Sequence, residues 1–95
     1  MRVRLSEPAE DDLEAIGDAT AKTNPARAAA IVKQIRKAAR SIGRAPKLCP
    51  AVPWSSTPRL RKKKSGRFVI LFQLNENEAL VTRIAHERSD WVSLV

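Results

Sequence analysis

The spacing of apolar positions along this chain moves from alternate residues, to every third or fourth, and back to alternate or continuous, and those shifts predict its elements. Arg2 to Leu5 alternates polar and apolar, which predicts a short strand with Val3 and Leu5 inward. Ser6 then offers an acceptor to free helix N–H groups, and Pro8 is tolerated in a first turn. Ala9, Leu13, Ile16 and Thr20 fall on one helical face, with acids near the positive end of the helix dipole and Gly17 weakening the helix somewhat. Asn24-Pro25 repeats the start signal. Ala28, Ile31, Ile35, Ala38 and Ile42 then recur at threes and fours, with Val32 and Ala39 beside them, and predict a second helix. Lys33, Arg36, Lys37, Arg40 and Arg44 form a basic stripe away from that face, and Gly43 and Pro46 end the helix. Two such helices on a short linker make an antiparallel hairpin.

Residues 45–58 hold Pro46, Pro50, Pro53 and Pro58 without periodicity, which predicts an irregular loop pinned by Trp54. Such a loop is either partner-facing or a tolerated insertion. Pro58 to Lys64 predicts an edge strand, since lysines protect an edge and proline suits a strand start. Ser65-Gly66 is a tight turn. Arg67 to Leu74 is apolar at nearly every position, which predicts a central strand buried on both faces. Asn75 to Glu78 is a turn, Ala79 to Ala85 a strand, and Ser89 to Val95 a final helical turn. The order β-α-α-β-β-β-(α) describes an α+β fold, an antiparallel sheet with one face covered by the N-terminal helical hairpin.

Ninety-five residues make a single domain, 1–95. The net charge is +8, and its distribution matters more than its total. Six of the ten acids precede residue 19; beyond it stand sixteen Lys/Arg against four acids, a surplus of +12. The single cysteine, Cys49, excludes an internal disulfide and a cysteine metal cluster and suits a reducing cytoplasm. No apolar run is long enough to cross a membrane, and Met1 to Leu5 lacks a signal-peptide centre. The expected location is the cytoplasm.

Arg59, Arg61, Lys62, Lys63, Lys64 and Arg67 fall together without an acid among them. On a strand, Arg59, Arg61 and Lys63 point one way, Lys62 and Lys64 the other. The run suits phosphates, an acidic protein segment, or edge protection alone. His86 is the only histidine. It is a candidate general acid or base, or else a brace at the sheet end. RNA cleavage also needs a second proton-transfer group and cations around the phosphate, and the chain has no tyrosine. Arg83 and His86 have opposite parity and share a face only if the strand bends or ends between them. Arg83, Arg88 and Asp90 suit an ion network around His86. Neither a metal constellation nor a phosphate-binding glycine loop is visible, so no metal or cofactor is expected.

Several segments in order carry a resemblance: Ser6-x-x-Ala9-x-x-Asp12-Leu13-x-x-Ile16, Pro25-x-x-Ala28-x-x-Ile31, Gly43-x-x-Pro46, Arg59-Leu60, Phe68-Val69-Ile70-Leu71-Phe72, and Arg83-Ile84-x-His86-x-Arg88-x-Asp90-Trp91. Together they resemble the ParE/RelE superfamily of bacterial toxins, each paired with an antitoxin. Relatives of the RelE branch cleave messenger RNA in the ribosome, with an arginine on the central strand and a tyrosine or histidine near the end. Here Val69 stands at the central position and the tail offers Trp91 and Val92. The ending His86-x-Arg88-x-Asp90 looks more like the ParE branch, whose members poison DNA gyrase. The resemblance therefore implies a gyrase inhibitor that acts by binding, with no catalytic residue unless His86 serves a nuclease. A ribosome-dependent endoribonuclease and a non-toxic binding module of the same fold are the alternatives. Arg59, Arg61, Lys63, Arg67, Arg83, His86, Arg88 and Trp91 are the expected target- or phosphate-binding residues. The implied partners are an antitoxin with an acidic amphipathic C-terminal segment, gyrase, and operator DNA reached through the antitoxin.

Overall fold

A computed structural model describes residues 1–95. The elements are β1 (Arg2–Leu5), α1 (Glu7–Ala21), α2 (Pro25–Ser41), β2 (Leu60–Ser65), β3 (Phe68–Leu74) and β4 (Glu78–His86). Short 3-10 turns occupy Ile42–Arg44 and Pro46–Leu48, and a third, Trp91–Leu94, stands where a helical turn was expected. Both helix starts use the caps the sequence offers. Ser6 Oγ accepts from the Ala9 N–H at 3.2 Å and Asn24 Oδ1 from the Arg27 N–H at 3.0 Å. Each such cap is worth about 1 kcal/mol.

The sheet order is β1-β4-β3-β2. β2, β3 and β4 form the expected antiparallel meander, but β1 lies parallel to β4, from Arg2 opposite Glu78 to Leu5 opposite Val81. The sheet is thus mixed at that edge rather than antiparallel throughout. Parallel neighbours need a long connection, and the helical hairpin together with the meander supplies one. Val3 and Leu5 both pack on the helix-side core.

On that side Ala9, Leu13, Ile35, Ala39 and Ile42 meet Ile70, Phe72, Ala79, Val81 and Ile84. On the opposite face Val69 and Leu71 pack with Leu60 and Val52, and Trp91 and Val95 lie against them. β3 is therefore buried on both faces, as its continuous apolar run predicts. The second cover is the proline loop and the tail. The loop's anchor is Val52, 3% exposed, and not Trp54, which is 57% exposed. Val52 N–H donates to the Leu60 carbonyl at 2.9 Å and Lys62 N–H to the Pro50 carbonyl at 3.0 Å, so residues 50–52 run as a short added strand along the first half of β2.

Two glycines are demanded by geometry. Gly66 opens the β2–β3 turn at φ +58°, the left-handed region a two-residue hairpin uses at its first position. At Gly43 a Cβ would collide with the Met1 carbonyl oxygen, so only glycine lets the start of β1 cross the end of α2 this closely. β4 carries a bulge at Thr82: Leu71 faces Arg83, but Phe72 faces Val81. The extra residue resets the alternation, so that Val81 and Ile84 both enter the helix-side core.

Candidate functional site

Beyond Val81 the outer edge of β4 has no strand beside it, because β1 ends at Leu5. The start of α1 replaces it. Ser6 N–H donates to the Val81 carbonyl at 2.9 Å, and Ser6 Oγ donates to the Thr82 carbonyl at 3.0 Å. Asp12 Oδ2 accepts from the Ile84 N–H at 2.9 Å and from Arg83 Nε at 2.8 Å, while Oδ1 accepts from Arg83 Nη2 at 2.9 Å. Arg83 is thus held from two sides by one carboxylate. Its hydrogen bond to Asp12 raises the guanidinium further above its ordinary value, with the Asp12 charge adding and partial burial opposing. It braces α1 to β4.

His86 ends β4, opposite Phe68, and its ring stands edge-on to that phenyl at 5.5 Å. Its Nδ1 accepts from the Arg88 N–H at 3.1 Å, and its carbonyl accepts from Ser89 Oγ at 2.6 Å. The tail thus folds back on the imidazole. The adjoining β2–β3 turn is tied in by Glu87 N–H, which donates to the Arg67 carbonyl at 2.8 Å, and by a 2.6 Å ion pair between Lys64 and Glu87. The Lys64 hydrogen bond holds the Glu87 carboxyl below its ordinary range, and the charges of Lys64 and Arg88 pull the same way against slight desolvation. Arg67 and Arg88 are exposed at this end of the sheet. Asp90 accepts from Ser93 Oγ through its carbonyl, and its carboxylate pairs with neither Arg83 nor Arg88.

The basic run divides its charges among separate tasks. Arg61 donates to the carbonyls of Lys47 and Cys49 at 3.2 and 2.7 Å and so ties down the proline loop. Lys62 sits 5.5 Å over the Trp91 ring, and Trp91 lies 6.4 Å from Trp54. Lys63 makes no ion pair. Arg59 does not join the strand. It precedes β2 at φ +56° and lies beside the Asn75–Glu78 turn, about 20 Å along the sheet from the Arg67 end. The eight expected residues therefore form no single site. Arg67, His86 and Arg88 gather at one end, Arg59 stands at the other, Lys63 lies midway on β2, and Arg61, Arg83 and Trp91 hold parts of the fold together.

A groove of about 420 Å³ runs along the outer edge of β2, lined by Ser41, Ile42, Ala45, Leu48, Cys49, Pro50 and Lys62 to Lys64. Leu48 is 85% exposed. The Leu60 carbonyl and the Lys62 N–H point to this edge and are taken by residues 50–52. By the same alternation the N–H and carbonyl of Lys64 point outward with no strand beside them. Leu48 gives no sequence signal, since it sits in a segment without period. Asp12 does give one: it shares the face of Ala9, Leu13 and Ile16, where an acid is out of place unless it has buried partners.

The family described as ParE toxin of type II toxin-antitoxin system, parDE, matches residues 3–91. The chain belongs to the ParE toxin family. The match runs from β1 to Trp91 and so takes in the α1–β4 brace, the groove and the His86 end. A solved structure of the chromosomal ParDE TA system from P. aeruginosa superposes with a TM-score of 0.78 at 22% identity, covering 90% of this chain and 95% of that one. The ParE-type fold is thus shared at low identity. No curated protein matches the chain significantly. As a ParE-family member the protein is the toxin of a type II toxin–antitoxin system, with a cognate antitoxin as partner. No helix is long and apolar enough to cross a membrane.

Proposed function

We propose that this ParE toxin inhibits DNA gyrase by binding to it, in the cytoplasm, and that its antitoxin silences it by laying an acidic amphipathic C-terminal segment into the β2-edge groove. Family membership carries the first part. The state of the chemical groups supports binding over cleavage: His86 Nδ1 is engaged by the Arg88 amide, Arg83 is engaged by Asp12, and buried Val69 occupies the central strand. Of the exposed cations, Arg67 and Arg88 flank His86 and form the target face of this reading.

The groove carries the second part. It combines an exposed leucine, three lysines of which Lys63 is without an ion pair or ring contact, no acid among its lining, and the outward N–H and carbonyl of Lys64. An extended segment alternating apolar and acidic residues fits such an edge, because main-chain hydrogen bonds supply affinity and the flanking pockets supply choice. The other half of such an antitoxin would hold operator DNA, so that the complex controls its own transcription.

Purified toxin titrated into a gyrase reaction tests the target. Supercoiling should fall as toxin rises, and cleaved DNA–gyrase complexes should accumulate. Undiminished supercoiling at toxin excess, with messages cut in a translation extract, would assign the protein to the endoribonuclease branch instead.

A further inference from the structure

The free positive charge of this molecule is concentrated on α2 more than on β2. In the basic strand, Arg61, Lys62 and Lys64 already hold the loop, Trp91 and Glu87. On α2, Arg36 is taken by Glu10 at 2.9 Å. Lys33, Lys37, Arg40 and Arg44 are all exposed and have no ion pair. Their spacing of four, three and four places them in one line along the helix and the turn that continues it. That line is about 16 Å long, and one DNA strand presents about five phosphates over such a length.

The chemistry of the row separates nucleic acid from protein as its ligand. A cleft of about 310 Å³ is lined by Lys37, Arg40, Ser41 and Arg44, without an apolar side chain. Ile35, Ala39 and Ile42 of the same segment are buried, and no large apolar residue is exposed between the cations. A protein interface is built around a desolvated apolar centre depleted of charge, and this surface is the reverse. Phosphate contacts need only cations and small polar groups, and they carry no sequence information.

We propose that Lys33, Lys37, Arg40 and Arg44 form a sequence-independent binding surface for the phosphate backbone of duplex DNA, adjoining the groove at Ser41 and apart from the His86 end. With gyrase as target, the row lets the toxin hold the DNA on which gyrase works. The assignment does not depend on that target being gyrase.

Fluorescence anisotropy of a labelled random-sequence duplex, titrated with toxin at several salt concentrations, tests it. Four phosphate contacts give a log–log salt slope of about −3.6, a loss of roughly 150-fold in affinity between 50 and 200 mM salt. Replacing Lys33, Lys37, Arg40 and Arg44 together by glutamine should abolish binding, with circular dichroism reporting the fold. Should that variant unfold, the pair Lys37→Gln with Arg40→Gln should halve the slope to about −1.8. Lys63→Gln with Arg67→Gln should leave the slope as in the wild type. Three results would overturn the proposal: no duplex binding at low salt, a slope lost with Lys63 and Arg67 instead of the row, or a row that binds a polyglutamate peptide but not DNA.

Discussion

Asp12 sits among Ala9, Leu13 and Ile16 on the apolar face of α1 and makes its hydrogen bonds to β4. It satisfies the Ile84 amide, on a residue only 2% exposed, and neutralises Arg83. Removing it leaves a buried donor and a half-buried cation without partners. Asp12→Ala should therefore destabilise the fold by about 2–3 kcal/mol. Asp12→Asn keeps one acceptor oxygen and should lose about 1–2 kcal/mol, as a charged hydrogen bond becomes a neutral one. Arg83→Ala removes the guanidinium and its methylene stem but leaves the Asp12–Ile84 hydrogen bond, and should cost about 1 kcal/mol. Urea melts of the variants measure all three, and an Asp12→Ala midpoint equal to wild type would remove Asp12 from the fold's supports.

At the scale of elements, the outer edge of β2 is half covered and half open. Residues 50–52 take the Leu60 carbonyl and the Lys62 N–H and leave Lys64. Leu48 beside it makes no part of the core, so its replacement tests the groove without disturbing the fold. Leu48→Glu should keep the wild-type melting point and weaken antitoxin binding by about 2 kcal/mol, close to thirtyfold, by losing apolar contact and adding a repelled charge. Titration calorimetry with the cognate antitoxin reads this, and undiminished affinity would place the antitoxin elsewhere. The elements themselves were legible because burial imposes period. Ala28 through Ile42 marks α2, and the unbroken run around Ile70 marks a strand covered twice. What covers the second face was not legible, since Val52 and Trp91 sit in segments without period. Nor was the fate of the basic run, because a run of like charges does not say which member meets Trp91, Glu87 or a carbonyl. The Thr82 bulge left a trace in the step from Val81 to Ile84, which breaks strict alternation.

Across the whole molecule, three glutamates are held below their ordinary value of 4.5, each chiefly by a hydrogen-bonded cation: Glu10 by Arg36, Glu78 by Arg4 and Glu87 by Lys64. Each pair joins two parts of the fold, respectively α1 with α2, β1 with β4, and β2 with the end of β4. Because their folded values lie below the unfolded ones, the pairs stabilise above pH 4.5 and the contribution fades as pH falls through the folded values. Thermal midpoints should therefore drop below that pH, and less steeply in high salt, since all three pairs are exposed enough to be screened. A midpoint unmoved by acid would show the pairs to be idle. The parallel seating of β1 against β4 also bears on how the toxin comes into being. Arg2 cannot find Glu78 until the ribosome has delivered it, on the order of 4–15 s after Arg2 itself at typical elongation rates. Until then Leu13, Ile35 and Ala39 have no sheet to cover. A nascent chain thus has no finished surface to turn on its own cell, and the first strand to be made is among the last to be placed.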